Sequence, residues 1–445
     1  MYNTHLFSLN GYNIALDSAS GAVHVLDDTC YNLLKKLTPP VSNEIESFES
    51  DEEREAYADL LELYNDGMLF SDEIEIKPVL SPIVKSLCLH ISHDCNLRCK
   101  YCFAETGDFN HGRKLMTFET GKAAIDFLMV KSGNIKNLEV DFFGGEPMMN
   151  FRVVKQLVEY GREVEKKHGK NIRFTLTTNG TYLNDDNIKF INEHISNVVL
   201  SADGRKSVND AMRPMTNGRG KSTYDIIMPN YKKLIANRDK DYYIRGTFTR
   251  NNLDFAADVL HFADEGFDQI SVEPVVLEKD DKLSLREEDL PAIFSEYEKL
   301  AVEMIERCKN GQKFNFFHFM VDLDAGPCLY KRFKGCGSGS EYIAITPEGD
   351  IYPCHQFVGY TEYMMGNVHT GEFKRDIQNS FSGNSIATMD ECKICWAKYF
   401  CGGGCAANNY KFHKDTTKPY KLACELEKKR IECALMMKAA LIEEE

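Results

Sequence analysis

Alternating hydrophobic and polar positions mark three short runs at the start of the chain, separated by Asn10-Gly11 and by residues 18–21. A period of two predicts strands with one buried face, so these runs indicate a small antiparallel meander. Two stretches with helical periodicity follow, and Gly67 ends the second. The predicted strands are residues 5–9, 12–17 and 22–27, and the predicted helices are residues 28–37 and 51–66.

Six apolar runs alternate with amphipathic stretches between residue 86 and about residue 311, after a Pro-containing linker at 77–82. Strand–helix repeats predict an α/β fold with a parallel sheet covered by helices, either open or curled into a partial (β/α)6 TIM-like barrel. Ligands of such folds bind beyond the carboxyl ends of the strands. The predicted strands are residues 87–92, 138–143, 172–177, 198–201, 242–249 and 269–275, with helices at 117–131, 150–167 and 253–264.

The periodicity dissolves into glycine-containing turns from about Cys328 to Cys424, before a closing helix at 422–441. A loop-rich stretch of this length needs something other than an apolar core to hold it, and metal clusters supply such support. We therefore predict three domains, at residues 1–80, 81–311 and 312–445.

Composition narrows the function. The formal net charge is −15, which disfavours general nucleic-acid binding. We see neither a signal peptide nor a run of about 18 apolar residues, so we predict a cytoplasmic protein without a membrane span. Fifteen cysteines in a reducing compartment indicate metal binding more than disulfides.

Cys95, Cys99 and Cys102 follow the first strand of the predicted sheet with C-x3-C-x2-C spacing. Three thiolates hold three irons of a 4Fe–4S cube and leave the fourth iron open to a ligand. A fully ligated electron carrier needs a fourth cysteine nearby, but the next one is Cys308. The alternatives are a structural zinc site, in which His90 or His93 adds a ligand, and buried free cysteines.

This motif resembles that of the radical S-adenosylmethionine enzymes, and Tyr101 occupies their aromatic position. The resemblance implies that the three cysteines ligate a 4Fe–4S cluster and that Tyr101 lies beside the adenine of S-adenosylmethionine. It also implies that the amino and carboxylate groups of the cofactor bind the open iron. Reductive cleavage then gives a 5′-deoxyadenosyl radical that abstracts hydrogen.

Further candidate residues lie at strand ends. Gly144, Gly145, Glu146 and Pro147 end the second strand of the sheet, where glycines allow close approach of a ligand and a carboxylate accepts from an ammonium group. This GGEP sequence resembles the family segment that binds the methionyl amine. An ordinary turn is the alternative.

The ends of the third and fourth strands resemble family segments near the ribose and the methionyl group. Arg245, on the fifth strand, pairs either with the cofactor carboxylate or within an internal salt bridge, because a charge inside a barrel is costly unless paired. The candidates at the third and fourth strand ends are Thr178, Asn179, Ser201 and Asp203.

The C-terminal cysteines match the pattern of the SPASM extension of peptide-modifying radical enzymes. The resemblance implies two auxiliary 4Fe–4S clusters, three clusters in all, although a pair of zinc ribbons is the alternative. The fourth ligand of the first auxiliary cluster is either Cys328 or a thiolate of the substrate. The resemblance implies that Cys336, Cys354 and Cys405 ligate the first auxiliary cluster, and that Cys392, Cys395, Cys401 and Cys424 ligate the second. The remaining cysteines, Cys30, Cys88, Cys308 and Cys433, are expected to be core residues.

The N-terminal region resembles the winged-helix-like recognition element of peptide maturases, in which a leader peptide adds a strand to a sheet edge. The alternative is a small capping domain without a binding role. The whole arrangement is similar to the maturases that form thioethers in Cys-rich SCIFF peptides. The implied partners are a Cys-rich precursor peptide with a leader and a low-potential donor such as ferredoxin or flavodoxin. The alternatives are sulfatase-type formylglycine formation, carbon–carbon crosslinking and a non-enzymatic electron carrier.

Overall fold

The computed structural model describes residues 4–42, 48–73, 83–109, 112–216, 218, 220–321 and 333–442. The chain forms two compact units from alternating segments. The first, here the terminal unit, comprises Met1–Val79, Leu290–Gly335 and Asn384–Glu445. The second, here the sheet unit, comprises Leu80–Asp289 and Cys336–Gly383. The predicted linker at 77–82 and Cys328 lie outside the described residues.

The predicted meander is confirmed in the terminal unit. Strands β1, β2 and β3 pair antiparallel in that order, and Asn10-Gly11 turns between the first two with positive φ at both residues. Side chains of Asp27 and Ser50 cap the two following helices by accepting from backbone N–H groups. These elements are β1 (Thr4–Leu9), β2 (Tyr12–Asp17), β3 (Val23–Leu26), α1 (Asp28–Leu34) and α2 (Asp51–Asn65).

Later segments complete the terminal unit. The long helices α9 and α14 pack together, and Arg430 Nε donates to the hydroxyl of Tyr297 at 2.9 Å. Helix α14 also contacts β1 and β2. The elements are α9 (Leu290–Lys309), β11 (Asn315–Phe316), α11 (Asp390–Lys393), α12 (Lys398–Cys401), α13 (Ala406–His413) and α14 (Lys421–Ile442).

Six parallel strands of the sheet unit stand side by side in chain order, as the strand–helix repeats predict. Within the described part of this unit the strand order is linear, so the sheet does not close into a barrel. The strands are β4 (Ser86–His93), β6 (Asn137–Gly144), β7 (Asn171–Thr178), β8 (Asn197–Ser201), β9 (Asp241–Phe248) and β10 (Gln269–Pro274), with a two-residue β5 (Lys114–Leu115) beside β4.

Helices follow each of these strands. Gly161 of α4 lies against Phe174 and Ile172, so close that a Cβ atom there would be 2.5 Å from the Phe174 ring. One face of the sheet is therefore apolar and packed under helices. The helices are α3 (Phe118–Lys131), α4 (Phe151–His168), α5 (Asp185–His194), α6 (Lys206–Met212), α7 (Thr223–Ala236) and α8 (Phe255–Asp264).

The expectation of a turn-only region after Cys328 is wrong for the sheet unit. Strand β12 pairs parallel with β4 on the side away from β6, and β13 and β14 extend the sheet antiparallel. These strands are too short to establish a visible alternation, which is why the sequence pattern missed them. The elements are β12 (Tyr342–Ile345), β13 (Asp350–Tyr352), β14 (Gly366–Asn367) and α10 (Arg375–Gly383). None of the helices in the described ranges is both long and apolar enough to cross a bilayer.

Candidate functional site

The loop that carries Cys95, Cys99 and Cys102, here the cysteine loop, leaves β4 at its carboxyl end. Hydrogen bonds to its backbone groups hold it in place. Arg98 Nη1 donates to the carbonyl oxygens of Cys95 and Leu97 at 2.6 and 2.7 Å. The N–H groups of Arg98 and Lys100 donate to carbonyls of Pro214 and Met212 at 2.8 and 2.9 Å. The loop is therefore joined to the segment that follows α6.

Glycines of the GGEP segment bring the end of β6 against the start of this loop. A Cβ atom on Gly144 would lie 2.2 Å from the carbonyl oxygen of Ser92, and one on Gly145 would lie 2.3 Å from that of Asp94. Gly144 also has φ +129, which side chains disfavour. The close approach at both glycines is to the backbone of the cysteine loop. Contact of this segment with the cofactor remains a prediction.

Glu146 lies buried at the centre of this junction. Its Oε1 accepts from the Met148 N–H and the Thr178 hydroxyl at 2.9 and 2.8 Å, and its Oε2 accepts from the Asn179 N–H at 2.7 Å. Burial raises the pKa of Glu146 to about 7, against the lowering effect of these donors. The carboxylate thus ties the ends of β6 and β7 together, and its binding of the methionyl amine stays a prediction.

The three thiols lie close enough to influence one another. The pKa of Cys95 and of Cys99 is raised to about 12, mainly by burial, and the charge of Cys102 is among the effects that raise both. Burial also raises the pKa of Cys102. All three are therefore protonated without metal, and iron would have to displace their protons.

The donor set fits an iron–sulfur cluster. The Leu97 N–H lies 3.4 Å and the Asn179 amide nitrogen 3.7 Å from the Cys95 sulfur, as donors to a ligated sulfur would. Within the described residues no three His, Cys, Asp or Glu side chains surround a point that could hold a single metal ion. The thiolates of a cube bind separate irons, so they need not converge on one point.

Tyr101, in the cysteine loop, hydrogen-bonds to Asp203, which follows the end of β8. The Tyr101 hydroxyl lies 2.7 and 2.6 Å from the two carboxylate oxygens of Asp203. The Thr247 N–H donates to the same carboxylate at 3.0 Å. Arg213, which the sequence analysis missed, pairs with Asp203 in the buried interior and lowers the pKa of Cys99 and Cys102 by its positive charge.

Ser201 and Arg245 are register partners on β8 and β9. The Ser201 carbonyl accepts from the Tyr231 hydroxyl at 3.0 Å. Arg245 Nη2 lies 3.3 Å from Glu273 Oε1 on β10, and 52% of its side chain is exposed. The internal salt bridge, one of two expectations, is therefore present, although the arginine is not buried. Pairing with the cofactor carboxylate stays a prediction.

The four cysteines assigned to the second auxiliary cluster interact with one another. The pKa of Cys392 is raised to about 12, mainly by burial and in part by the charges of Cys401 and Cys395. The pKa of Cys424 is raised to about 11, mainly by burial and in part by Cys392 and Cys395. The pKa of Cys401 is raised to about 12, mainly by burial, and the charge of Cys424 contributes to this rise. This mutual influence supports the predicted grouping.

The cysteines assigned to the first auxiliary cluster are divided between the units. The turn after Cys336 meets the residue before Cys354, since the Gly339 N–H donates to the Pro353 carbonyl at 2.8 Å. Cys405 belongs to the terminal unit, so joint ligation by the three remains a prediction. Of the four expected core cysteines, Cys308 is partly exposed and the others, Cys30, Cys88 and Cys433, are buried.

Known proteins share both cysteine regions. A domain family described as a 4Fe-4S single cluster domain matches residues 85–227, and the SPASM iron–sulfur cluster-binding domain matches residues 336–396. An uncharacterized protein of Methanocaldococcus jannaschii is 32% identical over 288 residues, 64% of this chain and 89% of its own length. A cysteine-type anaerobic sulfatase-maturating enzyme of Clostridium novyi is 27% identical over 351 residues, 73% of this chain and 89% of its own length.

Solved structures agree in fold. The anSMEcpe structure with bound AdoMet, which is S-adenosylmethionine, has a TM-score of 0.65 at 22% identity and covers 80% of this chain and 99% of its own. Streptococcus suis SuiB bound to S-adenosylmethionine has a TM-score of 0.54 at 15% identity, covering 94% and 97%. Fold and site together define an iron–sulfur enzyme that uses S-adenosylmethionine. The chain belongs to the radical S-adenosylmethionine family and carries a SPASM domain.

Proposed function

We propose that this enzyme installs Cys thioether crosslinks in a ribosomally made Cys-rich precursor peptide. The observation that carries the proposal is the combination of three features in one chain. The cysteine loop follows strand β4 of a parallel sheet. Four further cysteines in the terminal unit influence one another's pKa, and an antiparallel meander precedes both groups in the chain. A radical cluster, an additional redox cluster and a peptide-binding element are the parts that such a reaction needs.

The extent of the structural likeness supports a peptide-recognition role for the meander. The anSMEcpe fold is almost fully matched yet covers only 80% of this chain, whereas SuiB covers 94%. SuiB has also been solved bound to its precursor peptide SuiA. In this chain β3 is an edge of the meander and exposes 47% of Val25. We assign leader binding to this edge, because an added strand gains backbone hydrogen bonds there.

The residues of the site would each have a defined task. Cys95, Cys99 and Cys102 would hold the radical cluster, which supplies the electron for cleavage of S-adenosylmethionine. The Asn179 amide and the Leu97 N–H would stabilise the sulfur of Cys95. Two auxiliary clusters would bring the total to three, the second of them on Cys392, Cys395, Cys401 and Cys424.

A second candidate is sulfatase-type formylglycine formation, which the similarity to a cysteine-type anaerobic sulfatase-maturating enzyme favours. Both reactions begin with hydrogen abstraction by the same cofactor, but their products differ. A thioether removes a free thiol and two hydrogens from the peptide. A formylglycine leaves an aldehyde, which a hydroxylamine probe captures.

The first test is whether the protein cleaves S-adenosylmethionine after anaerobic reconstitution with iron and sulfide. With dithionite and S-adenosylmethionine, we expect release of 5′-deoxyadenosine, lost in Cys99→Ala and retained in the control Cys308→Ala. A pure electron carrier would release none. Co-expression with a small Cys-rich peptide encoded beside this protein, followed by thiol alkylation and mass spectrometry, tests the product. Full alkylation with no loss of hydrogen would overturn thioether formation.

A further inference from the structure

One face of the sheet in the sheet unit carries polar side chains, several of which are partly exposed. Side chains alternate along the strands, and those facing the helices, such as Val140 and Phe174, are buried. On the opposite face, Asp141 and Thr175 are partly exposed. Arg245 and Glu273 continue this polar face on β9 and β10. A sheet face with charged groups and access to solvent is suited to receive a polar ligand.

Asp141 occupies the middle of this face, three residues before the GGEP glycines. Its register partners are Cys88 on β4 and Thr175 on β7, and the Thr175 hydroxyl hydrogen-bonds to its carboxylate. The pKa of Asp141 is raised to about 7: burial and then the charge of Glu139 raise it, and Thr175 and Arg173 lower it. A carboxyl group with such a pKa exchanges protons near neutral pH.

The surroundings of Asp141 contain other ionisable groups but no lysine or arginine in ion-pair contact with it among the described residues. Its charge acts on the Cys88 thiol and on the Tyr342 hydroxyl, which hydrogen-bond to each other. The Tyr342 oxygen lies 3.3 Å from Nδ1 of His355. The groups that face Asp141 are thus Cys88, Glu139, Arg173 and Tyr342.

We propose that Asp141 is the proton acceptor for the peptide cysteine whose sulfur forms the new bond. This inference rests on the proposed function and adds the residue that activates the thiol. No cysteine motif or strand-end segment contains Asp141, and its carboxylate lies on the polar sheet face beneath the GGEP turn. A carboxylate that accepts a hydrogen bond from Thr175, on a residue that is partly exposed on this face, has the placement that a general base requires.

The step balances with this acceptor. Forming a thioether from a thiol and a C–H bond releases one hydrogen atom, one proton and one electron. One electron from the radical cluster would cleave S-adenosylmethionine to methionine and the 5′-deoxyadenosyl radical, which takes the hydrogen atom. An oxidised auxiliary 4Fe–4S cluster would accept the electron released when the C–S bond forms, so that one electron is spent and one is recovered. The S–H bond breaks heterolytically, its proton passes to an Asp141 oxygen, and the sulfur electron pair forms the C–S bond. Asp141 then returns the proton to solvent.

The isosteric variant Asp141→Asn tests the role. The companion variant Glu139→Gln removes a neighbouring carboxylate that raises the pKa of Asp141 and keeps Asp141 itself. Both are reconstituted anaerobically and incubated with the co-encoded Cys-rich peptide, deuterated at its acceptor carbon. In Asp141→Asn we expect deuterium still to reach 5′-deoxyadenosine, while thioether formed per cleavage falls about 100-fold or more. Glu139→Gln should keep thioether formation at neutral pH, because it lowers the pKa of Asp141 but leaves that carboxylate in place.

The pH profile separates a base from a merely structural carboxylate. In the wild type, thioether per cleavage should rise with pH through about 7, because the accepting form of Asp141 is the deprotonated one. The Asn variant should lose this rise while keeping wild-type iron content. A wild-type ratio and profile in Asp141→Asn would overturn the proposal. If the wild type itself cleaves S-adenosylmethionine but makes no thioether, the proposed function fails instead.

Discussion

Nε of Arg213 lies 3.0 Å from Oδ1 of Asp203, with the carboxylate side chain fully buried and the arginine side chain only 10% exposed. The pair joins the segment after α6 to the end of β8. Tyr101 bonds to the same carboxylate, so the middle of the cysteine loop is fixed to the sheet through Asp203. A buried ion pair of this kind becomes costly when one partner is removed.

Arg213→Met should therefore destabilise the cluster-free protein strongly. Because the variant leaves Asp203 charged in the interior, we expect a loss of about 3–5 kcal/mol in the free energy of unfolding. Anaerobic denaturant titration measures it. The control is Arg173→Met, which breaks an exposed ion pair with Asp241 and should cost less than about 1 kcal/mol. Equal losses in both variants would contradict the role of the buried pair.

Cys328→Ala distinguishes the two candidate ligands of the first auxiliary cluster. If a substrate thiolate completes that cluster, the variant should keep close to the wild-type iron content of about twelve irons per chain. Cys424→Ala is the comparison, because we expect it to lose about four irons with the second auxiliary cluster. Iron and sulfide analysis after anaerobic reconstitution measures how many irons each variant holds. A loss of about four irons in Cys328→Ala would identify Cys328 as the missing ligand.

His5→Ala should alter the environment of Trp396, the only tryptophan of the chain. The His5 and Trp396 rings stack with centroids 3.8 Å apart and an angle of 3°, beside Cys395. His5 Nε2 also lies 2.9 Å from Glu432 Oε1 on α14. We expect a red-shifted emission, easier quenching by acrylamide and a loss of about 1 kcal/mol.

His24→Ala is the control for this change, because His24 lies on β3 of the same meander and contacts the Met68 carbonyl instead. Its emission maximum should equal that of the wild type. Unchanged emission and quenching in His5→Ala would show that the rings do not stack in solution. The fluorescence is measured on the cluster-free protein, since iron–sulfur clusters absorb in the same range.

Local patterns sufficed for much of this structure. The apolar run at 87–92 predicted β4 to within one residue at either end, since a strand buried on both faces leaves a continuous signal. The cysteine spacing placed three thiols at its carboxyl end. Both features depend only on neighbours in the chain, which is what periodicity and spacing report.

Contacts between distant segments could not be predicted. The apolar run at 138–143 predicted the strand β6, but not that Thr175 and Cys88 would flank Asp141. Arg213 carries no local signal, because its buried partner lies on another element. The chain folds β12 beside β4, and no feature of the short run at 342–345 reveals that pairing.

The interleaving of the two units has a consequence for synthesis on the ribosome. Residues 80–289 and 336–383 can assemble while the C-terminus is still being translated. The meander emerges before these residues, but its packing is incomplete until Trp396 has been made. The Ser18 hydroxyl donates a hydrogen bond to the Trp396 carbonyl at 2.7 Å, and the His5 ring stacks on the Trp396 ring. The meander thus reaches its final packing only after the residues up to Trp396 have been made.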